Sequence, residues 1–383
     1  MSHNLQPFRL GSKDGYLNEN GEIAIKPKFT NAYPFDEDET AIVRLGSKCG
    51  LINKSDEWII KPQFCSLYGF KNELAIASIN FLKYGVINKK GEWAIEPKFS
   101  NIQKFGENDT IVASTECFGN KGLIDKQGNW ILKPKFKSIG SLKKGLAPVE
   151  LNGKHGFINE HGNIVIELKF EHALCFSDNG LAQVMIGKKW GFINRMGEVV
   201  IKPKYKDAKH FMSSGLAAVK TENKWGFIDT NEKLVVESKF DMVNYNDHDP
   251  FVLIKIDKKY GYTDKNINIL IEPKFKEAHA FNDKELTNVK IDKKCGLINK
   301  KGEWAIEPIF DAIHPFLNSH TLTEAWINKQ HVFINKKGEI VLKVKNTQGK
   351  KVLKNAKDET VCEEQHDKPF TAFPHKNAIM QAI

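Results

Sequence analysis

A glycine recurs along this chain at nearly constant spacing, and this recurrence constrains the fold more than any other feature. Nine copies stand 34 to 37 residues apart: Gly15, Gly50, Gly85, Gly122, Gly156, Gly191, Gly226, Gly261 and Gly296. A tenth copy of the surrounding phrase, from His331 to Val344, has Val332 in place of the glycine. A period of this length indicates a tandem array in which each unit packs on its neighbours.

The copy from Leu181 to Phe211 illustrates one repeat. Apolar runs at 181–186, 190–193 and 199–201 have the length of strands, and turn residues separate them. Because proline has no N–H to give to a ladder, we expect the third strand to end at Pro203. Each unit is thus predicted to be a three-stranded meander of about 25 residues followed by an arch of about ten. The spacing Tyr205-Ala208-Phe211 predicts that the arch packs over the core.

The turn between the second and third strands carries the strongest local signal. All ten copies have Asn or Asp after an apolar pair: Asn18, Asn53, Asn88, Asp125, Asn159, Asn194, Asp229, Asp264, Asn299 and Asn335. Seven copies have glycine three residues later, where a hairpin closed by this turn needs a residue with positive φ. Ile267 stands there in the eighth copy, and since β-branched residues resist positive φ, we expect a different turn.

The third strand predicts how the units pack. Val199-Val200-Ile201 does not alternate with polar residues, which indicates a sheet covered on both faces, as in solenoids and propellers. Closed propellers usually have about four to eight blades of four strands. We therefore favour an all-β array of about ten meanders, open or spiralling and β-solenoid-like, with a closed β-propeller as the alternative. The array covers residues 1–345, and residues 346–383 are expected to be a mostly disordered tail or a short cap.

Two consecutive copies resemble a known repeat family. Lys189-Trp190-Gly191-Phe192-Ile193-Asn194 and Lys224-Trp225-Gly226-Phe227-Ile228-Asp229 are similar to the signature of the bacterial WG repeat, also called the KWG repeat. The resemblance extends over roughly residues 5 to 344. Members of this family are β-rich and mostly have no assigned activity. The resemblance therefore implies a β-rich protein that mediates interactions. The chain departs from the signature at the tryptophan, which only two of ten copies retain.

Composition bounds the class of protein. The net charge is +10, but only Arg9, Arg44 and Arg195 are arginines, and most lysines fall in predicted turns. Lysine is a solvated point charge and a poorer bidentate reader of phosphate than arginine, so solvated turns are the favoured interpretation over a nucleic-acid surface. The six cysteines form no C-x-x-C pair, and no apolar run approaches the length of a membrane helix. These features predict a cytoplasmic protein without membrane insertion or a disulfide framework.

No motif for catalysis or cofactor binding is present. The sequence lacks a phosphate-binding loop, a dinucleotide fingerprint, a nucleophile elbow and an H-E-x-x-H pair. The twelve histidines do not have the spacing of metal ligands. We therefore expect no enzyme activity, no cofactor and no metal.

The position before the repeat glycine, which we call the slot, is the candidate binding position. It holds Asp14, Cys49, Tyr84, Lys121, His155, Trp190, Trp225, Tyr260, Cys295 and His331. Because its polarity varies between copies, we expect it to be at least partly exposed. Five of its ring-bearing members would form a binding strip: Tyr84, His155, Trp190, Trp225 and Tyr260. The alternative is that the tryptophans fill a gap in the core.

The predicted function is a non-catalytic scaffold that binds protein or peptide partners along the array. Two other classes stay open. One is a polyanion or nucleic-acid binder that uses lysine-rich turns such as Lys188-Lys189 and Lys258-Lys259. The other is a carbohydrate-binding protein that uses the strip. The sequence does not define the partner or the oligomeric state.

Overall fold

The chain forms ten small antiparallel sheets in sequence order, which we call blades 1 to 10. The computed structural model describes residues 5–364 except 72, 104–109, 283, 317–319 and 348. No helix occurs among these described residues, which confirms the all-β prediction. None of them therefore belongs to a helix that is long and apolar enough to cross a bilayer.

Three long strands make up the body of each blade. The first strands are Gln6–Leu10, Thr40–Leu45, Leu74–Ser78, Ile111–Ser114, Leu146–Leu151, Ala182–Ile186, Ala217–Lys220, Val252–Ile256, Leu286–Ile291 and Leu322–Ile327. The second strands are Lys13–Leu17, Lys48–Asn53, Tyr84–Asn88, Lys121–Ile124, Lys154–Asn159, Lys189–Ile193, Trp225–Ile228, Lys259–Thr263, Lys294–Asn299 and Gln330–Asn335. The third strands are Ile23–Phe29, Trp58–Phe64, Trp93–Phe99, Trp130–Phe136, Ile164–Phe170, Val199–Tyr205, Leu234–Phe240, Ile269–Phe275, Trp304–Phe310 and Ile340–Thr347.

A short edge strand precedes the first strand in blades 2 to 10. These edge strands are Asn31–Ala32, Ser66–Leu67, Asn101–Ile102, Ser138–Ile139, His172–Ala173, Asp207–Ala208, Met242–Asn244, Glu277–Ala278 and Ala312–Ile313. The prediction of three strands per unit is therefore wrong for blades 2 to 9, which have four. The arch supplies the extra strand because its small central residue brings the backbone beside the next first strand, as Ala208 pairs with Val219.

The repeat glycine lies opposite a bulge in the third strand. In blade 6, Trp190 pairs with Tyr205 and Phe192 with Ile201, so the register shifts around Gly191. A Cβ on Gly191 would lie 2.7 Å from the backbone nitrogen of Pro203. The third strand does not end at the proline as predicted. The bulge leaves Pro203 without a ladder bond to make, and the strand continues to Tyr205.

The turns between second and third strands all have one conformation. In blade 6 the Asn194 side-chain oxygen accepts hydrogen bonds from the N–H groups of Met196 and Glu198, and Gly197 has φ +82°. The different turn expected at Ile267 is not found, since this residue takes φ +67° in the same hydrogen-bonded turn. Ile267 is buried in an apolar cluster, and this burial offsets the cost of its backbone conformation.

The core consists of clusters between neighbouring blades. One cluster joins the third strand of blade 6 to blade 7 and contains Tyr205, Ala208 and Phe211, so the predicted packing of the arch is confirmed. Coverage of both faces does not hold along the whole third strand, because Val199 and Val200 are exposed and Ile201 is buried. As the last strand of its sheet, it packs on the next blade only from Ile201 onward.

The first and last blades pack together and close the ring. Their shared cluster contains Phe8, Leu10, Leu17, Leu322, Phe333, Leu342 and Leu353. The Gln6 side-chain oxygen accepts a hydrogen bond from the Leu322 N–H at 3.1 Å. The structure is thus the closed β-propeller, which was the alternative to the open array. Closure removes the two apolar end faces that an open array would expose to water.

The edge strands face the axis of this ring. Lys143 follows the edge strand of blade 5 and Asp247 that of blade 8, and their side chains form an ion pair at 3.6 Å. Blades three positions apart in a ring can meet only near its axis. The segments after the edge strands therefore line a central channel, and the third strands form the outer rim.

Blade 10 differs because Val332 replaces the glycine. Val332 pairs directly with Lys343 without a bulge, and the third strand runs on to Thr347. The predicted boundary at residue 345 falls inside this strand. The chain then returns as strands Lys350–Asn355 and Thr360–Glu363, which extend the same sheet to six strands. Residues 365–383 of the predicted tail lie outside the described residues.

Candidate interaction face

The turns between first and second strands project from one side of the ring, which we call the turn face. Each slot residue lies at or near the start of a second strand, directly after such a turn, so all ten slots belong to this face. They occupy equivalent positions on successive blades. Since packed sheets are about 10 Å apart, slot side chains of adjacent blades meet only through residues between them.

His172 forms such a link between two slots. Its ring centroid lies 5.1 Å from that of His155 in blade 5 and 6.3 Å from that of Trp190 in blade 6. Trp190 is half-buried and packs against the cluster between blades 6 and 7. The structure thus brings together two members of the predicted strip through a histidine that the sequence reasoning did not single out.

His155 is held in an unusual environment. Both of its ring nitrogens are buried without a hydrogen-bond partner. Burial lowers the pKa of this imidazole, and the charge of His172 lowers it further. The ring is therefore neutral at neutral pH and contributes an apolar aromatic surface at this position.

Trp225 and Tyr260 are screened by lysines. Trp225 is only 7% exposed and belongs to a core cluster. The ammonium groups of Lys209 and Lys220 each lie 5.7 Å from its ring centroid. Tyr260 is half-buried, with the ammonium of Lys255 at 4.6 Å from its ring. For Trp225 the structure agrees with the alternative that the slot tryptophans fill a gap in the core, and this residue offers little surface to a partner.

Tyr84 borders an exposed apolar patch that the sequence reasoning missed. The turn before it, residues 79–83, exposes Ile79, Phe81 and Leu82, and the turn of the next blade exposes Phe118 completely. The Lys83 ammonium donates to the Thr115 carbonyl at 3.2 Å and ties the two turns together. We call Ile79, Phe81, Leu82 and Phe118 the turn patch. The sequence held a signal for Phe118 alone, because the longest repeat interval, 37 residues, spans the longer turn of blade 4.

Several charged side chains on the turn face have partners within the protein. Glu171 accepts hydrogen bonds from the N–H groups of Gly187 and Lys188, and the Lys188 bond lowers the pKa of this carboxyl most. The ammonium of Lys224 pairs with Asp241, and that of Lys294 pairs with Asp311 at 2.6 Å. Carboxylates therefore lie among the lysines of this face at least in blades 7 and 9.

Chemistry-bearing groups do not converge on this face. Among the described residues no set of three or more His, Cys, Asp or Glu side chains is placed to hold a metal ion. All six cysteines are unpaired, and Cys117 is the most exposed of them. The arrangement offers rings, apolar side chains and paired charges, which suit contact with another macromolecule.

Comparison with known proteins gives one clear result. The family model for the WG containing repeat matches residues 15–49, 50–80, 84–114, 122–154, 156–190, 190–225, 225–260, 260–295 and 296–319. These nine matches tile most of the ring. No curated protein matches the chain in sequence.

Solved structures share the fold at low sequence identity. A eukaryotic initiation factor aligns with a TM-score of 0.50 and 10% identity, over 79% of this chain and 95% of that chain. The designed Ika8 protein has a TM-score of 0.37 and 9% identity, over 72% of this chain and 93% of its own. Hsv2 of Kluyveromyces lactis has a TM-score of 0.35 and 11% identity, over 72% and 91%. The first likeness concerns the fold alone.

Proposed function

This chain belongs to the WG-repeat family, and we propose that it is a non-catalytic scaffold that binds a protein partner on the turn face of its propeller. The observation that carries the proposal is the turn patch. Its four large apolar side chains lie on adjacent turns of one face, and Phe118 and Phe81 are 104% and 55% exposed. Exposed apolar residues gathered in one place are typical of protein-binding surfaces.

The surroundings of the turn patch support a protein partner. Tyr84 lies at its border, and aromatic residues are enriched among the anchors of protein interfaces. Lys83 beside it and Lys121 in the slot of the next blade would form a polar rim. Paired charges elsewhere on the face speak against a polyanion, and the burial of Trp225 speaks against stacking of a sugar ring on that residue.

The rest of the strip would provide a second contact area. His155 and Trp190, joined by His172, extend the aromatic surface across blades 5 and 6. Trp225 and Tyr260 would support neighbouring lysines rather than contact the partner directly. The proposal also includes a reducing, cytoplasmic location, which agrees with six unpaired cysteines.

The experiment is affinity purification from the native cell, followed by titration of the recovered partner. Phe81→Ser with Phe118→Ser should weaken binding by about 2 kcal/mol or more, the scale of interface anchors. Val200→Ser with Leu270→Ser is the matched control, since it removes two exposed apolar side chains from the outer rim. Equal affinity of the turn-patch variant and the unmodified protein would contradict the proposal.

A salt series separates the polyanion alternative. Binding of phosphate-bearing polymers weakens steeply with salt because counterions are released. Apolar anchoring at the turn patch predicts only a weak dependence. A steep dependence, together with loss of binding when Lys188, Lys189, Lys258 and Lys259 are changed to glutamate, would favour the polyanion class.

A further inference from the structure

A cavity of about 460 Å³ lies between blades 2 and 3. Three of its lining residues, Thr40, Ile42 and Arg44, belong to the first strand of blade 2. Because every second residue of a strand points to the same face, these three side chains follow one another along the cavity. At about 3.3 Å per residue, Thr40 and Arg44 are about 13 Å apart. The cavity is therefore elongated, and its two ends have different chemistry.

The middle of the cavity is apolar and aromatic. Tyr33 of blade 2 and Tyr68 of blade 3 line it together with Ile42, and both tyrosines come directly after the edge strands of their blades. They are 51% and 53% exposed. Tyr68 also forms a side-chain hydrogen bond with Tyr84, which borders the turn patch. Since tyrosine rings have apolar faces that pack on other rings, this part of the cavity suits an aromatic group.

The repeat shows why space remains between these two blades. The position of Ile42 holds Gln183 in blade 6, whose amide donates to the Ala208 carbonyl of the next edge strand at 2.9 Å. Asn288 holds it in blade 9 and donates to the Ile313 carbonyl at 2.9 Å. Both side chains bridge adjacent blades. An isoleucine has no donor for such a bridge, so the space in blade 2 stays open to a ligand.

The end of the cavity toward the turn face is positively charged. The Arg44 guanidinium donates to the Ser47 carbonyl at 2.8 Å and to the Cys65 carbonyl at 2.9 Å. Both acceptors are neutral, so these bonds fix the guanidinium without cancelling its charge. The Lys48 ammonium lies 3.3 Å from the Cys65 sulfur and adds a second positive charge nearby. An anionic group is the complement of this end.

The Arg44 charge is also not used as its equivalent is in another blade. The same position in blade 8 is Lys255, whose ammonium lies 4.6 Å from the ring of the slot residue Tyr260. In blade 2 the slot residue paired with Arg44 is Cys49, which has no ring to cover. Burial raises the pKa of the Cys49 thiol, so this group is neutral and does not repel an anion.

The opposite end of the cavity accepts hydrogen bonds. Asp36 lines it, and its Oδ1 accepts the N–H groups of Asp38 and Thr40 while its Oδ2 accepts the Thr40 hydroxyl at 2.8 Å. These bonds hold the carboxylate in place, and Oδ2 retains a lone pair for another donor. Because a carboxylate repels an anion, the negative group of a ligand is confined to the Arg44 end, and a hydrogen-bond donor fits at Asp36.

We propose that this cavity binds a small aromatic acid. Its carboxylate lies on the Arg44 guanidinium, its ring lies between Tyr33 and Tyr68, and a hydroxyl group at its other end donates to Asp36. The site takes a small molecule between blades 2 and 3, so it does not depend on the protein partner proposed for the turn face.

Isothermal titration calorimetry of the full chain with para-hydroxyphenylpropionate, a tyrosine analogue without the amino group, tests the proposal. This probe carries a carboxylate and a phenol hydroxyl at opposite ends of one ring. It should bind about tenfold or more tightly than its primary amide, which lacks the charge. Phenylpropionate, which lacks the hydroxyl, should bind about threefold or more weakly than the probe. These comparisons use the unmodified protein, so they do not depend on the folding of a variant.

Variants assign the two contacts. Arg44→Met should remove the preference for the acid over the amide, and Met185 at the same position in blade 6 shows that the fold accepts methionine there. Lys290→Met is the matched control, since Lys290 holds this position in blade 9. Tyr33→Ala should weaken the acid and the amide alike, about tenfold. His279→Ala is its control, because His279 holds the position of Tyr33 in blade 9 and is exposed.

The two control variants should bind the acid as the unmodified protein does, and Arg44→Lys should retain a preference for the acid. Equal affinity of the unmodified protein for the acid and the amide would overturn the proposal. So would an equal loss in Lys290→Met and Arg44→Met, or no heat of binding at about 10 mM acid, a concentration that detects even weak small-molecule binding.

Discussion

Replacing Gly191 by alanine should destabilise the protein more than removing the neighbouring tryptophan side chain. A Cβ at Gly191 would lie 2.7 Å from the backbone nitrogen of Pro203 and closer still to the carbonyl oxygen of Ile201. Both atoms belong to the bulge of the third strand and cannot rotate away. Relief requires this strand to move off the second strand, and the pairing of Phe192 with Ile201 would then be lost.

The magnitude follows from two costs. Inserting a methyl group into a packed site costs about 1–3 kcal/mol, and a buried backbone group that loses its hydrogen bond costs about 1–3 kcal/mol. Together they give about 4 kcal/mol for Gly191→Ala. Trp190→Ala removes a half-buried ring, whose loss is worth about 2 kcal/mol, less than full burial would give. Gly187→Ala should cost only about 1 kcal/mol, because the added methyl group would meet no other atom and only the positive φ of this residue disfavours alanine.

Urea unfolding of the three variants measures this order. We expect the midpoint to fall most for Gly191→Ala, less for Trp190→Ala and least for Gly187→Ala. Gly187 is the matched control, because it lies in the same hairpin but has no atom within 4 Å of an added Cβ. If Gly191→Ala unfolded at the same urea concentration as Gly187→Ala, the close approach of backbone at the bulge would not be what the glycine serves.

Three further perturbations test other parts of the structure. Burial lowers the pKa of His155, so the unfolded chain takes up a proton at higher pH than the folded protein, and the stability should fall as the pH drops below about 6.5. The urea midpoint of His155→Phe should fall less between about pH 7.5 and 5.5 than that of the unmodified protein. The same pH dependence in both proteins would refute this. Gln6→Ala leaves the buried N–H of Leu322 unpaired and should cost about 2 kcal/mol in urea unfolding. The buried carboxylate of Asp14 accepts hydrogen bonds from the Arg9 guanidinium at 2.6 Å and 3.0 Å. Asp14→Asn should therefore lower the free energy of unfolding by about 2 kcal/mol at neutral pH. An unchanged free energy of unfolding would mean that the ion pair only offsets the cost of its own desolvation.

The turn chemistry was predictable because it is local. Asn194 and Gly197 define a turn whose hydrogen bonds lie within five residues, and the structure has that turn. The edge strand at Ala208 was missed because it exists only when the arch meets the next blade. The alternation in the third strand was misread at Val199 because a run of apolar residues does not reveal which of them meet the next sheet.

Ring closure was beyond sequence reasoning for a different reason. The rotation between neighbouring blades is small, and only its sum over ten units decides between a spiral and a ring. No single residue encodes that sum. In the closed ring the turn glycine Gly21 of blade 1 lies against Leu342 of blade 10, in the same way that Gly197 of blade 6 lies against Ile166 of blade 5.

The candidate site was only partly accessible from the sequence. Variation at the slot predicted partial exposure, but Asp14, Cys49 and Trp225 are buried, while Tyr84 is half-buried beside exposed side chains. These differences depend on neighbours from other strands. The longer turn containing Phe118 is visible as a lengthened interval, whereas Ile79, Phe81 and Leu82 lie in an interval of ordinary length that gives no such signal.

The direct register at Val332 has a consequence for how such a protein acquires its size. A gene that grows by duplicating units of about 35 residues has no intrinsic upper limit. In blades 1 to 9 the third strand bulges opposite the repeat glycine, with or without a proline, and the chain then passes to a new sheet, whereas blade 10 lacks this bulge and folds its remaining strands back onto the same sheet. The last unit thus acts as a terminator. A second copy of blade 10 earlier in the chain would end the series of sheets before the ring is complete. If another unit replaced blade 10, the chain would pass to a further sheet and the contact between the first and last blades would not form.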